Sequence, residues 1–111
     1  WPHNGDPPDS EDLDFNTTIG VVATNACLTK AQANILASVA HDGLAIAVRP
    51  AHTSRDGDTM FGLATAQAPV EDKFDLLCAA GVDCVARAIV SGVRKAEGLG
   101  GIPSVTELAA N

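Results

Sequence analysis

Apolar and polar positions change their period several times along the chain, and each change marks an element. Residues 1–14 have no period at all: Pro2, Gly5, Pro7 and Pro8 stand among Asp6, Asp9, Glu11, Asp12 and Asp14. Such a stretch buries too little apolar area to offset chain entropy, which predicts a flexible acidic linker. From residue 17 the character reverses. Thr17, Thr18, Ile19, Val21, Val22 and Thr24 are β-branched, and the near-continuous apolar centre predicts a buried strand over 17–26, covered on both faces.

Thr29 followed by Gln32 has the spacing of a capping box, so a helix is expected to start there. Leu28, Ile35, Leu36 and Val39 carry the helical period to about Ala40, and Asp42-Gly43 is a natural place to end or redirect it. Pro50, Ser54, Asp56, Gly57 and Asp58 predict a polar loop over 49–58, and the apolar run at 59–65 predicts a second strand. Phe74, Leu77, Cys78, Val82, Val85, Ile89 and Val93 then form one stripe of a long helix, with Gly81 a possible break. Gly98, Gly100, Gly101 and Pro103 end it, and Ser104 with Glu107 caps a last short helical turn. Strand, helix, strand, helix predicts layered α/β packing.

Length and charge narrow the function. A chain of 111 residues holds one domain at most. Its first residue, Trp1, and the absence of structure expected before residue 15 suggest a piece of a longer precursor. The net charge of −7, with few and scattered Lys and Arg, argues against nucleic acid. The carboxylates concentrate in the first stretch, so they characterise a tail rather than a binding face.

Cys27, Cys78 and Cys84 have no zinc-ligand spacing and read as small buried residues in a reducing compartment. His3, His41 and His52 supply no metal set, and the glycines near Gly100 lack the Lys-Ser/Thr of a phosphate loop. Neither a metal nor another cofactor is expected. No apolar run approaches the ~20 residues of a membrane span and no signal segment opens the chain, so a cytoplasmic location is expected.

Candidate chemistry gathers at two places. At Asn16-Thr17-Thr18 an acidic linker runs into a buried strand whose first residue bears a hydroxyl. A threonine hydroxyl is a weak nucleophile until a base takes its proton, and a free α-amine with a pKa of about 8 is such a base on the same residue. Only cleavage after Asn16 creates that amine. At Asp56-Gly57-Asp58 two carboxylates one residue apart on a glycine turn are placed to orient an amine or share a proton, or to form an ordinary Asx-type turn. His52, in the same loop, reads as a solvated residue before a proton carrier, and His41 as a capping or packing residue.

The segments NTTIGVVATNA (16–26), AHDGLA (40–45), RPAHT (49–53) and DGDTMFGLAT (56–65) occur in that order. Together they resemble the self-processing L-aminopeptidase/D-esterase (DmpA-type) peptidase family, and within it the nylon-oligomer (6-aminohexanoate oligomer) hydrolase branch. The resemblance covers the chain from about Asn16 to Pro103. It implies autocleavage between Asn16 and Thr17, Thr17 as the nucleophile, and Asp56 and Asp58 as the aspartates that assist it.

It also implies a layered α/β sandwich of the N-terminal-nucleophile type, with ornithine-acetyltransferase-like connectivity. This chain would then be the C-terminal, nucleophile-bearing part: linker over 1–16, β-part over 17–111. The implied partners are the α-part of the same precursor, a small peptide, amino-acid amide or ω-amino-acid oligomer as substrate, and further copies in a homo-oligomer. A similar-looking acyltransferase of ornithine-acetyltransferase type and a non-catalytic assembly fragment are the alternatives. Ile46, Gly62 and Ala66 depart from the family's usual basic residue, Ala and Gly, which bears on substrate preference.

Overall fold

In the computed structural model, which describes residues 16–110, β1 (Ile19–Ala26), α1 (Lys30–Ala47), β2 (Thr59–Ala68), α2 (Phe74–Lys95) and α3 (Val105–Ala109) follow one another. The acidic linker lies almost wholly outside these residues. β1 and β2 pair in parallel from Ile19 beside Thr59 to Thr24 beside Ala64. Parallel neighbours need a crossover, and α1 supplies it, so β1-α1-β2 is one βαβ unit. The chain is a small α/β domain.

The strand expected from residue 17 begins two residues later, and only one of its faces is covered by the described residues. Val22, Ala26 and Met60 turn inward and join Leu36, Ala40, Cys78 and Val85 in the core. The alternate positions point the other way, as the two-residue period of a strand requires. Ile19 (70% exposed), Val21 (60%), Phe61 (54%) and Leu63 (54%) therefore leave an apolar face open. Near the end of the ladder Ala26 pairs with Ala68, a register shift relative to Thr24, and Ala66 in the extra stretch takes φ 59.

α1 starts where its capping box places it: Gln32 N–H donates to Thr29 Oγ1 at 3.1 Å, and Thr29 N–H donates to Gln32 Oε1 at 2.9 Å. It does not stop near Ala40 but runs through Asp42-Gly43 to Ala47. Gly43 is buried against α2, where an added Cβ would meet the Val82 carbonyl oxygen and, at 2.8 Å, the Val85 Cβ. The glycine permits two helices to approach closely and does not end one. Leu36 and Leu44 beside this crossing are 1% and 0% exposed, each contributing about 1.5–3 kcal/mol by burial. Ile35, expected inside, is 48% exposed.

α2 likewise passes Gly81 unbroken, because that residue is buried beneath Leu36 and Val22. Its 22 residues and a mean hydropathy of 1.8 over an 18-residue window meet the length and composition of a membrane-crossing helix, which corrects the sequence expectation of no such run. Here its Cys78, Gly81 and Val85 side packs on the core, while Asp83 and Arg87 pair at 3.5 Å on the exposed side. Cys78 is buried, but Cys27 and Cys84 are exposed, contrary to expectation. A turn through Gly100 (φ 64) and Gly101 (φ 81) reverses the chain into α3, which Ser104 and Glu107 cap reciprocally.

Candidate active site

The loop between α1 and β2 returns alongside the residues that precede β1. Asn16 N–H donates to the Arg55 carbonyl at 3.2 Å, Gly57 N–H donates to the Asn16 carbonyl at 2.9 Å, and Thr59 N–H donates to the Thr18 carbonyl at 2.9 Å. These bonds prolong the parallel ladder backward past the end of β1. They bring Asn16-Thr17-Thr18 and Asp56-Gly57-Asp58, forty residues apart in the chain, into one cleft of about 250 Å³. Val48, Pro50 and Ala51 give that cleft its apolar lining.

Thr17 is exposed there, with its hydroxyl against Gly57: an added Cβ at Gly57 would lie 3.1 Å from Thr17 Oγ1. The two carboxylates of the loop have separate partners. Asp58 Oδ1 accepts from Thr18 N–H at 3.0 Å, one residue beyond the Thr17 hydroxyl. Asp56 Oδ2 accepts instead from the Thr53 N–H and the Thr53 hydroxyl, both at 2.8 Å. Those two bonds, N–H first, hold the Asp56 carboxyl below its ordinary range against a small opposing effect of burial, with the charge of His52 adding to them. The described hydrogen bonds therefore include no proton shared between Asp56 and Asp58, although both line the cleft.

His52 is no solvated bystander. Its Nδ1 lies 2.9 Å from Asp58 Oδ2 and its backbone N–H donates to the same oxygen at 3.4 Å. Both reach one carboxylate oxygen because residue 52 adopts φ 55, a left-handed conformation that His tolerates better than most side chains. His41, far enough along α1 to face the loop, sets its Nδ1 3.3 Å from His52 Nε2, with the rings tilted by 60°. Sequence spacing gives no sign of this chain of contacts. It depends on a backbone dihedral and on α1 continuing through His41. Among the described residues no group of three His, Cys, Asp or Glu side chains is placed to hold a metal ion.

Residues 3–106 match the description Peptidase family S58. The chain belongs to that family. Among its relatives, an uncharacterized aminopeptidase of Mycobacterium tuberculosis is 43% identical, the match covering 85% of this chain and 31% of the relative. One of Mycobacterium leprae is 45% identical over 81% of this chain and 28% of its own length. A 6-aminohexanoate-oligomer endohydrolase of Kocuria sp. is 36% identical, over 45% of this chain and 14% of the relative. This S58 chain thus spans about a third of the length of the curated aminopeptidase relatives it matches. The resemblance drawn from the motifs and the family match coincide, with the nylon-oligomer branch the weaker likeness.

Proposed function

We propose that this chain is the nucleophile-bearing part of a self-cleaving amide hydrolase, with Thr17 the nucleophile first for its own Asn16–Thr17 bond and then for a substrate amide. The observation that carries the reading is the Asn16 carbonyl: it accepts the Gly57 N–H at 2.9 Å while the Thr17 hydroxyl packs against the same glycine. Addition places negative charge on that oxygen, and a backbone donor already aimed at it can follow the charge as it develops.

In the first step Thr17 Oγ1 bonds to the Asn16 carbonyl carbon and its proton passes to a base, for which the cleft offers the Asp56 and Asp58 carboxylates. The Asn16 oxygen carries the negative charge and keeps the Gly57 N–H as its donor. The carbon–nitrogen bond breaks, the Thr17 nitrogen takes a proton, and an ester remains. Water then releases Asn16 as a carboxylate, leaving Thr17 with a free amine beside its hydroxyl. That amine is the base for the next attack, now on a peptide, an amino-acid amide or an ω-amino-acid oligomer.

Family membership supports peptidase or hydrolase chemistry, and the names of the aminopeptidase and endohydrolase relatives support amides as the substrate class. On this reading β1 and β2 belong to a larger layered sandwich of the N-terminal-nucleophile type. The open face bearing Ile19, Val21, Phe61 and Leu63 is where the α-part of the same precursor packs, and such α/β units assemble further.

The test is intact mass. The longest natural polypeptide containing this chain is expressed alongside its Thr17→Ala variant and both are incubated. Scission between Asn16 and Thr17 in the parent alone supports the reading. A folded parent that stays whole defeats it.

A further inference from the structure

Asp58 has two oxygens with different duties. Oδ1 accepts the Thr18 N–H at 3.0 Å, while Oδ2 lies 2.9 Å from His52 Nδ1. With the Asp58 side chain 7% exposed, water has little access to replace a missing donor. A carboxylate held at one oxygen only is free to rotate about its last torsion, which is broad and roughly two-fold. Holding both oxygens fixes the plane.

The state of His52 is constrained in turn by His41. If Nδ1 of a neutral His52 carries the proton toward Asp58, its Nε2 is an acceptor, and the facing His41 Nδ1, 3.3 Å away, must carry a proton. If His52 is protonated on both nitrogens, His41 Nδ1 must be bare. The remaining tautomer, with Nδ1 bare, would set two acceptors 2.9 Å apart, so the Asp58 contact calls for a donor on His52 Nδ1 in whichever form His41 faces it.

We propose that His52 is a positioning residue for the Thr17 chemistry: it clamps Asp58 so that the other carboxylate oxygen stays on the Thr18 N–H and keeps Thr17 in register with Gly57, and His41 secures the clamp. The inference rests on Thr17 as nucleophile for its effect on cleavage, but its geometric half is measurable without any cleavage.

Two readouts on the same polypeptide separate the two. In the uncleaved Thr17→Ala background, amide hydrogen exchange at Thr18 is compared for His52, His52→Gly and His52→Asn. Glycine keeps the left-handed backbone and its N–H but removes the ring. Asparagine keeps the left-handed backbone and puts an amide donor near the Nδ1 position. Exchange at Thr18 is expected to quicken about 10- to 100-fold in the glycine variant, the scale of one hydrogen bond to a charged group, and to recover most of its protection in the asparagine variant.

With Thr17 restored, self-cleavage rates are expected to follow the same order. Thr18 exchange unchanged by His52→Gly, or equally fast in both variants, overturns the proposal. Exchange that follows the prediction while no parent chain cleaves leaves the clamp standing and defeats the nucleophile reading instead. Should the glycine variant not fold, His41→Phe, which keeps a ring on a partly exposed helix position, is the second measurement. A Thr18 exchange rate raised about two- to fivefold supports the clamp, as the smaller share of that bond held by the outer ring. No change overturns it.

Discussion

Thr18 N–H donates to Asp58 Oδ1 at 3.0 Å across forty residues of chain, and this one bond joins the start of β1 to the loop that enters β2. Asp58→Asn keeps the volume but leaves the side chain with a single oxygen for two donors, the Thr18 N–H and His52. One of the two must then face an NH2 group. Self-cleavage is expected to fall by about 100-fold or more, the range for a positioned acid–base group. Stability should fall by about 1 kcal/mol, the low end for an unmatched donor, because the Thr18 N–H is only partly buried. Rates from intact mass and thermal melting measure the two effects separately.

Gly57 offers a sharper probe of the Thr17 hydroxyl. Its backbone lies outside the left-handed range, and an alanine Cβ would stand 3.1 Å from Thr17 Oγ1, a contact relieved only if one group moves by a few tenths of an ångström. Gly57→Ala therefore shifts the Thr17 hydroxyl with little strain on the fold. We expect cleavage slower by about 3- to 10-fold, since displacements near 1 Å cost about 100-fold. Melting should stay within about 0.5 kcal/mol of the parent. Equal rates would separate the Thr17 hydroxyl from the chemistry.

Much of the fold is legible in the sequence wherever the determining atoms are close along the chain. Thr29 and Gln32 specify the start of α1 because both halves of the cap lie within one turn, and Ser104 with Glu107 do the same for α3. Gly43 misleads for the opposite reason. A residue without a Cβ suits a helix end and a helix crossing equally, and the atoms that decide between them are on Val82 and Val85. The apolar runs of β1 and β2 are plain, but the described residues cover only one face of the sheet. At the site, Asn16, Thr17, Asp56 and Asp58 are visible as motifs and converge on one cleft. His52 and His41 are not visible as a pair, because their contact depends on φ at one residue and on how far α1 extends.

The hydrogen bonds to Asp56 should be visible in its titration. Asp56 is held below the usual 3.8 by the Thr53 N–H and hydroxyl. A carboxyl whose folded pKa is depressed contributes stability above its unfolded value, near 3.9, and loses it as pH falls through the lower folded value. That window lies below about pH 4. Thr53→Val removes the hydroxyl bond and keeps the backbone one, so the Asp56 carboxyl is expected to move part of the way back toward 3.8. A carbon-detected NMR titration of the side-chain carboxyl follows this directly. An unmoved Asp56 would show that the backbone N–H alone is responsible.

Ala66 and Gly62 pose opposite steric problems on β2. Ala66 takes φ 59 within the register shift opposite Thr24 and Ala26, a conformation in which its Cβ crowds the backbone. Gly62 faces α1 so closely that an added Cβ would meet the Ala33 carbonyl oxygen. Glycine at 66 relieves strain, although the unfolded chain gains freedom that opposes folding. Relief should exceed that loss, giving Ala66→Gly a net gain of about 0.5–1 kcal/mol. Alanine at 62 must push α1 from the sheet and should cost about 1–3 kcal/mol, as overpacking does. Chemical denaturation of the parent and the two single variants measures both, and opposite signs are the expected outcome. A stabilising Gly62→Ala would mean that α1 sits farther from β2 than the Ala33 contact places it.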